Sequence, residues 1–236
     1  MRREHLTRAG TPTMRALLIP ISLLALGIVP VVAGLVLLAG LVTGQAPAEN
    51  ARFVEHPLPI ALHVLAVTPY ALLGALQFAP ALRRRGWHRA VGMTLVPLGL
   101  IAALTGLWMA LSYPWPEGDG EAVYVMRLAV GVAMTFAIVR GVASLRRGEY
   151  AEHGAWMLRG YALGMGAGTQ VLTHLPWFLF VGGAPDEWSR AVMMGLAWVI
   201  NVVVAEVIIR TGVTAPARVA PPYPGTAGAL SQASST

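Results

Sequence analysis

Six apolar stretches, each long enough to cross a bilayer as a helix, leave this chain little choice of architecture. They run from Ala16 to Val42, Pro57 to Leu82, Trp87 to Ser112, Ala122 to Leu145, Gly154 to Val181 and Trp188 to Ile209. A lone segment in lipid satisfies all its backbone N–H and C=O groups only by coiling into a helix. Hydrophobic residues make up 56% of the chain and charged residues 12%, against about 25% charged in a soluble domain. The expected fold is all-α, a polytopic membrane bundle of six transmembrane helices forming one domain over residues 15–211. A cytoplasmic N-terminal segment, 1–14, precedes it, and a Pro-, Ala- and Ser-rich tail, 212–236, is expected to be disordered. The first run is too long for a signal-peptide core and is expected to be retained.

The connections alternate in charge. Arg2, Arg3 and Arg8, the loop Arg83–Arg89 and the pair Arg146-Arg147 are basic; the loops around Glu49 and Glu55, Glu117–Glu121 and Asp186-Glu187 are neutral or acidic. The positive-inside rule then places both termini and the arginine loops in the cytoplasm. The net charge of +6 reports topology here, and nucleic acid is not an expected partner. With no cysteine in the chain, disulfides, iron–sulfur clusters and thiolate metal sites are excluded.

Four of the six histidines fall at matched depths. His63 lies six residues into the second run from the outer side and His174 seven residues from the outer end of the fifth, about 9 and 10 Å deep. His88 and His153 each open a helix from the cytoplasmic side. His153 and His174 are 21 residues apart on one run, about 31 Å along a helix, close to the thickness of the hydrocarbon core. Glycines accompany them: Gly74 with His63, Gly92, Gly99 and Gly106 with His88, and Gly160, Gly164 and Gly168 between His153 and His174. Imidazoles facing each other across a cleared slot are what a buried b-type haem needs. The same glycines would equally serve close helix packing. The same histidines would equally cap helices or hydrogen-bond locally, for instance to Tyr70 or Gln170. His5 and His56 lie outside or at the boundary of the runs and receive no role.

A few charges fall inside the runs. Arg159 and Glu206 come out at similar depth and should pair, offsetting each other's burial cost. Arg127 has no obvious acidic partner in the sequence; a haem propionate would supply one through a bidentate contact, or the side chain would snorkel to the interface.

His63, Gln77-Phe78, the Arg83–Arg85 cluster, His88-Arg89 with Gly92, and His153 with Trp156-Met157 and Arg159-Gly160-Tyr161-Ala162-Leu163 form a series over roughly Pro57 to His174. It resembles a bacterial membrane family known as domain of unknown function 2306. The chain departs from that pattern at His153-Gly154, where the family tends to read His-Arg, and around Thr169-Gln170-Val171, where it tends to carry an arginine. The resemblance implies a multi-pass protein of the bacterial cytoplasmic (inner) membrane. Six helices with paired histidines are also similar in architecture to the cytochrome b-561 class of two-haem carriers.

The expectation is therefore a di-haem b-type transmembrane electron carrier, a membrane-bound oxidoreductase if an enzyme at all. Haem b would be held by His63 and His174 at the outer level and by His88 and His153 at the inner one. Arg127 and Arg159 would steady propionates or partner groups, and a quinone or another redox protein would be the partner. The competing expectation is a non-redox membrane protein, an accessory subunit or small transporter, with structural or proton-relaying histidines. No nucleophile–base set, zinc motif or phosphate loop points to hydrolysis.

Overall fold

The computed structural model describes residues 14–79, 82 and 85–211. Seven α-helices and one 3-10 segment appear among them, and no strand. The helices are α1 (Met14–Thr43), α2 (Pro57–Leu76), α3 (Arg85–Ser112), α4 (Glu121–Arg146), α5 (Tyr150–Gly164), α6 (Gly166–Phe180) and α7 (Glu187–Thr211), with the 3-10 segment Ala48–Phe53 between α1 and α2. Most of the expected N-terminal segment, part of the Arg83–Arg89 loop and the 212–236 tail lie outside the described residues. The helices α1, α2, α3, α4 and α7 are each long and apolar enough to cross a membrane.

The second run is shorter as a helix than expected, α2 ending at Leu76 rather than Leu82, and the fifth apolar run differs further from its expectation. It is broken at Met165 into α5 and α6, 15 residues each, and neither half is long enough to cross alone. Glycines on both sides of Met165 weaken the helix locally, but the break is completed from α7. The Trp198 indole packs so tightly on Gly166 that any side chain there would overlap it. Asn201 joins the two halves: its Nδ2 donates to the Ala162 carbonyl, 3.0 Å, and its Oδ1 accepts the Thr169 hydroxyl, 2.7 Å. An unbroken helix would hand the Ala162 carbonyl to the Gly166 amide. In an apolar setting a freed backbone group needs such a substitute.

The packing closes a ring in the order α1, α2, α3, α4, α7, α6 and back to α1, and α5 packs against α2, α3, α4, α6 and α7. The main core is Tyr70, Leu95, Ala103, Met134, Ile138, Tyr161 and Met165 with their neighbours. Large apolar side chains are also exposed around the outside, including Val36, Val132, Phe136, Val203 and Leu172. An apolar exterior on helices of this length is what a lipid-embedded bundle presents. The α6–α7 turn relies on Gly182 and Gly183, whose φ values of 74° and 70° suit glycine.

Candidate functional site

The glycine faces are occupied by neighbouring side chains. Tyr161 fills the space beside Gly74. At Gly99 an added Cβ would stand 2.6 Å from the Tyr70 ring and 2.9 Å from Ile138, and at Gly164 it would stand 3.1 Å from Tyr70 and 3.3 Å from Met134. Gly168 lies against the backbone of Leu26. Tyr161 is fixed by a hydrogen bond from its hydroxyl to the Ala71 carbonyl, 2.8 Å, and by the rings of Tyr70 and Phe78 with centroids 5.8 and 5.5 Å away. Close approach of helices through small residues is thus the role these positions play in the mid-bundle. Gly92 is different: nothing lies within 4 Å of where its Cβ would be.

His63, on α2, turns onto α3. Its Nδ1 lies 3.0 Å from the Ala102 carbonyl and 3.1 Å from Thr105 Oγ1. Thr105 donates its own proton back to Ile101, 2.6 Å, so its oxygen accepts from His63. His153, on α5, reaches the Gly141 carbonyl of α4, 2.8 Å, and His174 bonds the Gln170 carbonyl of its own helix, 2.7 Å. A carbonyl oxygen only accepts. In all three rings Nδ1 therefore bears a hydrogen, assigned from the network, and in the neutral imidazole Nε2 is the nitrogen with the lone pair. His88 lies exposed in the first turns of α3.

The structure does not bring the outer pair to one interface. His63 leans on α3, whereas α6, with His174, packs against α1, α5 and α7. The inner pair sits on α3 and α5, which are in direct contact, although the His153 bond is made to α4. Among the described residues no group of three or more histidines and carboxylates is close enough to hold a metal ion.

The two arginines singled out in the sequence, Arg127 and Arg159, both sit in ion pairs. Arg159 meets Glu206 as expected, Nε to Oε1 at 2.5 Å and Nη2 to Oε2 at 3.0 Å, and its guanidinium lies 4.7 Å from the centre of the Trp156 ring. Arg127 does have an acidic partner, against the sequence expectation: it pairs with Asp119 in the α3–α4 loop. Arg190 of α7 takes the other oxygen of the same carboxylate at 2.5 Å, and the Asp119 side chain is 1% exposed. Arg52 stands near enough that Arg127 and Arg190 add to burial in pushing its pKa down, while Asp119 opposes them. The carboxylate thus ties the α3–α4 loop to α4 and α7. Sequence reasoning took Asp119 only as a topology mark. The overlooked signal is that Arg52, Arg127 and Arg190 fall at the acidic end of the bundle, against the charge trend, and each needs a reason to be there.

A ring of long apolar helices with lipid-like exteriors and ion pairs held inside defines a polytopic integral membrane protein. The family described as predicted membrane protein, domain of unknown function 2306, matches residues 60–209. The chain belongs to that family. No curated protein matches it, and no solved structure does.

Proposed function

We propose that the chain crosses the bacterial cytoplasmic membrane six times, with α5 and α6 together making the fifth crossing and both termini inside. We further propose that it carries electrons at the cytoplasmic face through a b-type haem. His88 and His153 would hold that haem, and a quinone or a redox protein would be the partner. The observation that carries this reading is the hydrogen bond that the His153 ring makes through Nδ1. A ligating imidazole characteristically donates one ring N–H to a backbone carbonyl, which fixes its orientation and leaves the other nitrogen for the metal. His153 is in that state, as are His63 and His174. The inner level also keeps the unfilled position beside Gly92. Haem, when bound, would supply one-electron redox chemistry; the chain's part would be to orient the rings and to hold charge balance nearby through Arg159 and Glu206. The slots flanked by Tyr70 and Tyr161 do not fit a haem, and His63 and His174, on separate interfaces, do not make a second site.

Those filled slots favour a second reading, a non-redox membrane protein such as an accessory subunit or small transporter, whose histidines pin neighbouring helices. The visible spectrum of the purified protein, reduced minus oxidised, separates the two. The haem reading expects an α-band that His88→Ala and His153→Ala abolish and His174→Ala leaves intact. A protein prepared with ample haem that shows no such band leaves the structural role of the histidines standing.

A further inference from the structure

The loop end that carries Arg146 and the start of α3 holds a feature independent of the histidines. A groove of about 490 Å³ runs along the outside of the α3–α4 seam, walled by Val96 and Leu100 of α3 and by Val139, Val142 and Ala143 of α4, and it ends at Arg146. Val139, Val142, Ala143 and Arg146 follow the spacing of one helix face, so the guanidinium continues the apolar wall of α4. Arg89 stands seven residues before Val96 and does the same for α3. The groove therefore has an oily body between two helices and Arg146 at its end, with Arg89 further along the same face of α3 beyond the lining residues.

Those arginines are surplus charge. At this end Glu149 and Glu152 are the neighbouring carboxylates, and both are taken: Arg147 holds Glu149 at 2.6 Å, and Glu152 is shared by Arg140 at 3.6 Å and Arg147 at 3.8 Å. The Arg147 contact pulls the Glu149 carboxyl below its ordinary value, so it stays ionised and engaged. No carboxylate among the described residues pairs with Arg89 or Arg146. An apolar trough open to the exterior and closed by unpaired arginines matches one occupant in charge and polarity: a phospholipid with an acyl chain along the seam and an anionic headgroup at the mouth.

We propose that the α3–α4 groove is a binding site for an anionic phospholipid, with its phosphate held by Arg89 and Arg146. The proposal does not rest on the haem reading, because none of the residues lining the groove is a histidine.

The experiment uses the full chain reconstituted in nanodiscs of phosphatidylcholine with a fraction of phosphatidylglycerol. Lipids retained after mild detergent extraction are counted by native mass spectrometry. A favourable factor of about five per juxtamembrane arginine gives a roughly thirtyfold enrichment of phosphatidylglycerol over its bulk fraction. Arg89→Gln with Arg146→Gln should bring retention back to the bulk ratio. Arg52→Gln, at the opposite end, should leave the enrichment unchanged. Val139→Trp fills the groove from an exposed position, so folding is spared, and it should cut retention of both lipids. Equal retention of the two lipids by the unaltered chain overturns the proposal. So does enrichment that survives the double arginine substitution, or retention indifferent to Val139→Trp.

Discussion

Gly74 and Gly92 look alike in sequence, each a glycine on a helix face that also carries a histidine, and the structure separates them by sign. Gly74→Ala would drive a methyl into the Tyr161 ring, where Cδ2 is 2.8 Å and Cζ 3.3 Å from the new carbon. Tyr161 is 5% exposed and cannot swing aside without breaking the bond to the Ala71 carbonyl. Overpacking of a tight core costs about 1–3 kcal/mol, and the strained hydrogen bond adds about 1 kcal/mol. The better helix propensity of alanine returns up to about 1 kcal/mol, so a net loss of about 2 kcal/mol is expected. Gly92→Ala meets no atom within 4 Å and keeps only the gain, about 0.5–1 kcal/mol. Thermal unfolding of the two purified variants should therefore move in opposite directions, by about 4–8 °C down for Gly74→Ala and about 1–4 °C up for Gly92→Ala, on the scale of domains this size. Tyr161→Ala should erase the difference, because the cost of the methyl added at position 74 is a coupling to that ring. If Gly74→Ala melts with or above the parent, the ring does not occupy the slot. The mid-bundle space would then be open to a flat ligand after all.

Other perturbations test the remaining contacts. Asn201→Leu removes the donor to Ala162 and the acceptor for Thr169; about 1–3 kcal/mol of stability should be lost, and amide exchange should quicken around Met165, whereas unchanged exchange would mean the break holds itself. Asp119→Asn leaves Arg127 and Arg190 facing each other without a counter-charge; these arginines are partly exposed, so the loss should sit at the low end of the range for breaking a buried pair, about 3 kcal/mol, and a melting point equal to the parent's would refute the staple. Arg159→Gln and Glu206→Gln should each destabilise, and the double variant should lose less than the sum of the two; additive losses would show that the pair is not coupled. At the start of α7 the Ser189 hydroxyl and amide, with the Trp188 amide, hold the Asp186 carboxyl below its ordinary 3.8. That contribution is present above pH 3.8 and fades as pH falls through the lowered value, so Ser189→Ala should weaken the protein near neutral pH and lose its effect in strong acid. External labelling should reach the Glu117–Glu121 loop in intact cells and spare the loop before α3; the reverse would invert the proposed topology.

How far the sequence could be read depended on how many coordinates each inference needed. Helix existence needs hydropathy and length alone, and each of the six apolar runs carries helix, although the second ends at Leu76 and the fifth is broken at Met165. Arg159 and Glu206 needed depth and opposite sign, because so few charges lie inside the runs that one pairing was available. The break at Met165 was not legible, because its causes, Trp198 and Asn201, sit on another helix and act through contacts that local composition does not encode. Asp119 was hidden for a related reason: a loop carboxylate reads as solvated until two arginines, 8 and 71 residues further along the chain, are seen to close over it.

The histidines show the limit most plainly. Matched depth is a coordinate along the membrane normal, and a shared ligand also requires that two side chains point into the same space between helices. His63 and His174 satisfy the first condition by count of residues, yet the ring of His63 is committed to the Ala102 carbonyl on α3, while α6 lies across the ring of helices beside α1 and α7. What sets that direction is the azimuth of α2, fixed by the packing of Val64 against Gly34 and of Ala71 near Gly27 on α1. With that face of α2 given to α1, His63 falls one residue round toward α3. The glycines near α1 therefore decide where this histidine points more than the histidine's own depth does, and in a bundle built on small-residue contacts any proposed ligand pair has to be argued from the helix interfaces first.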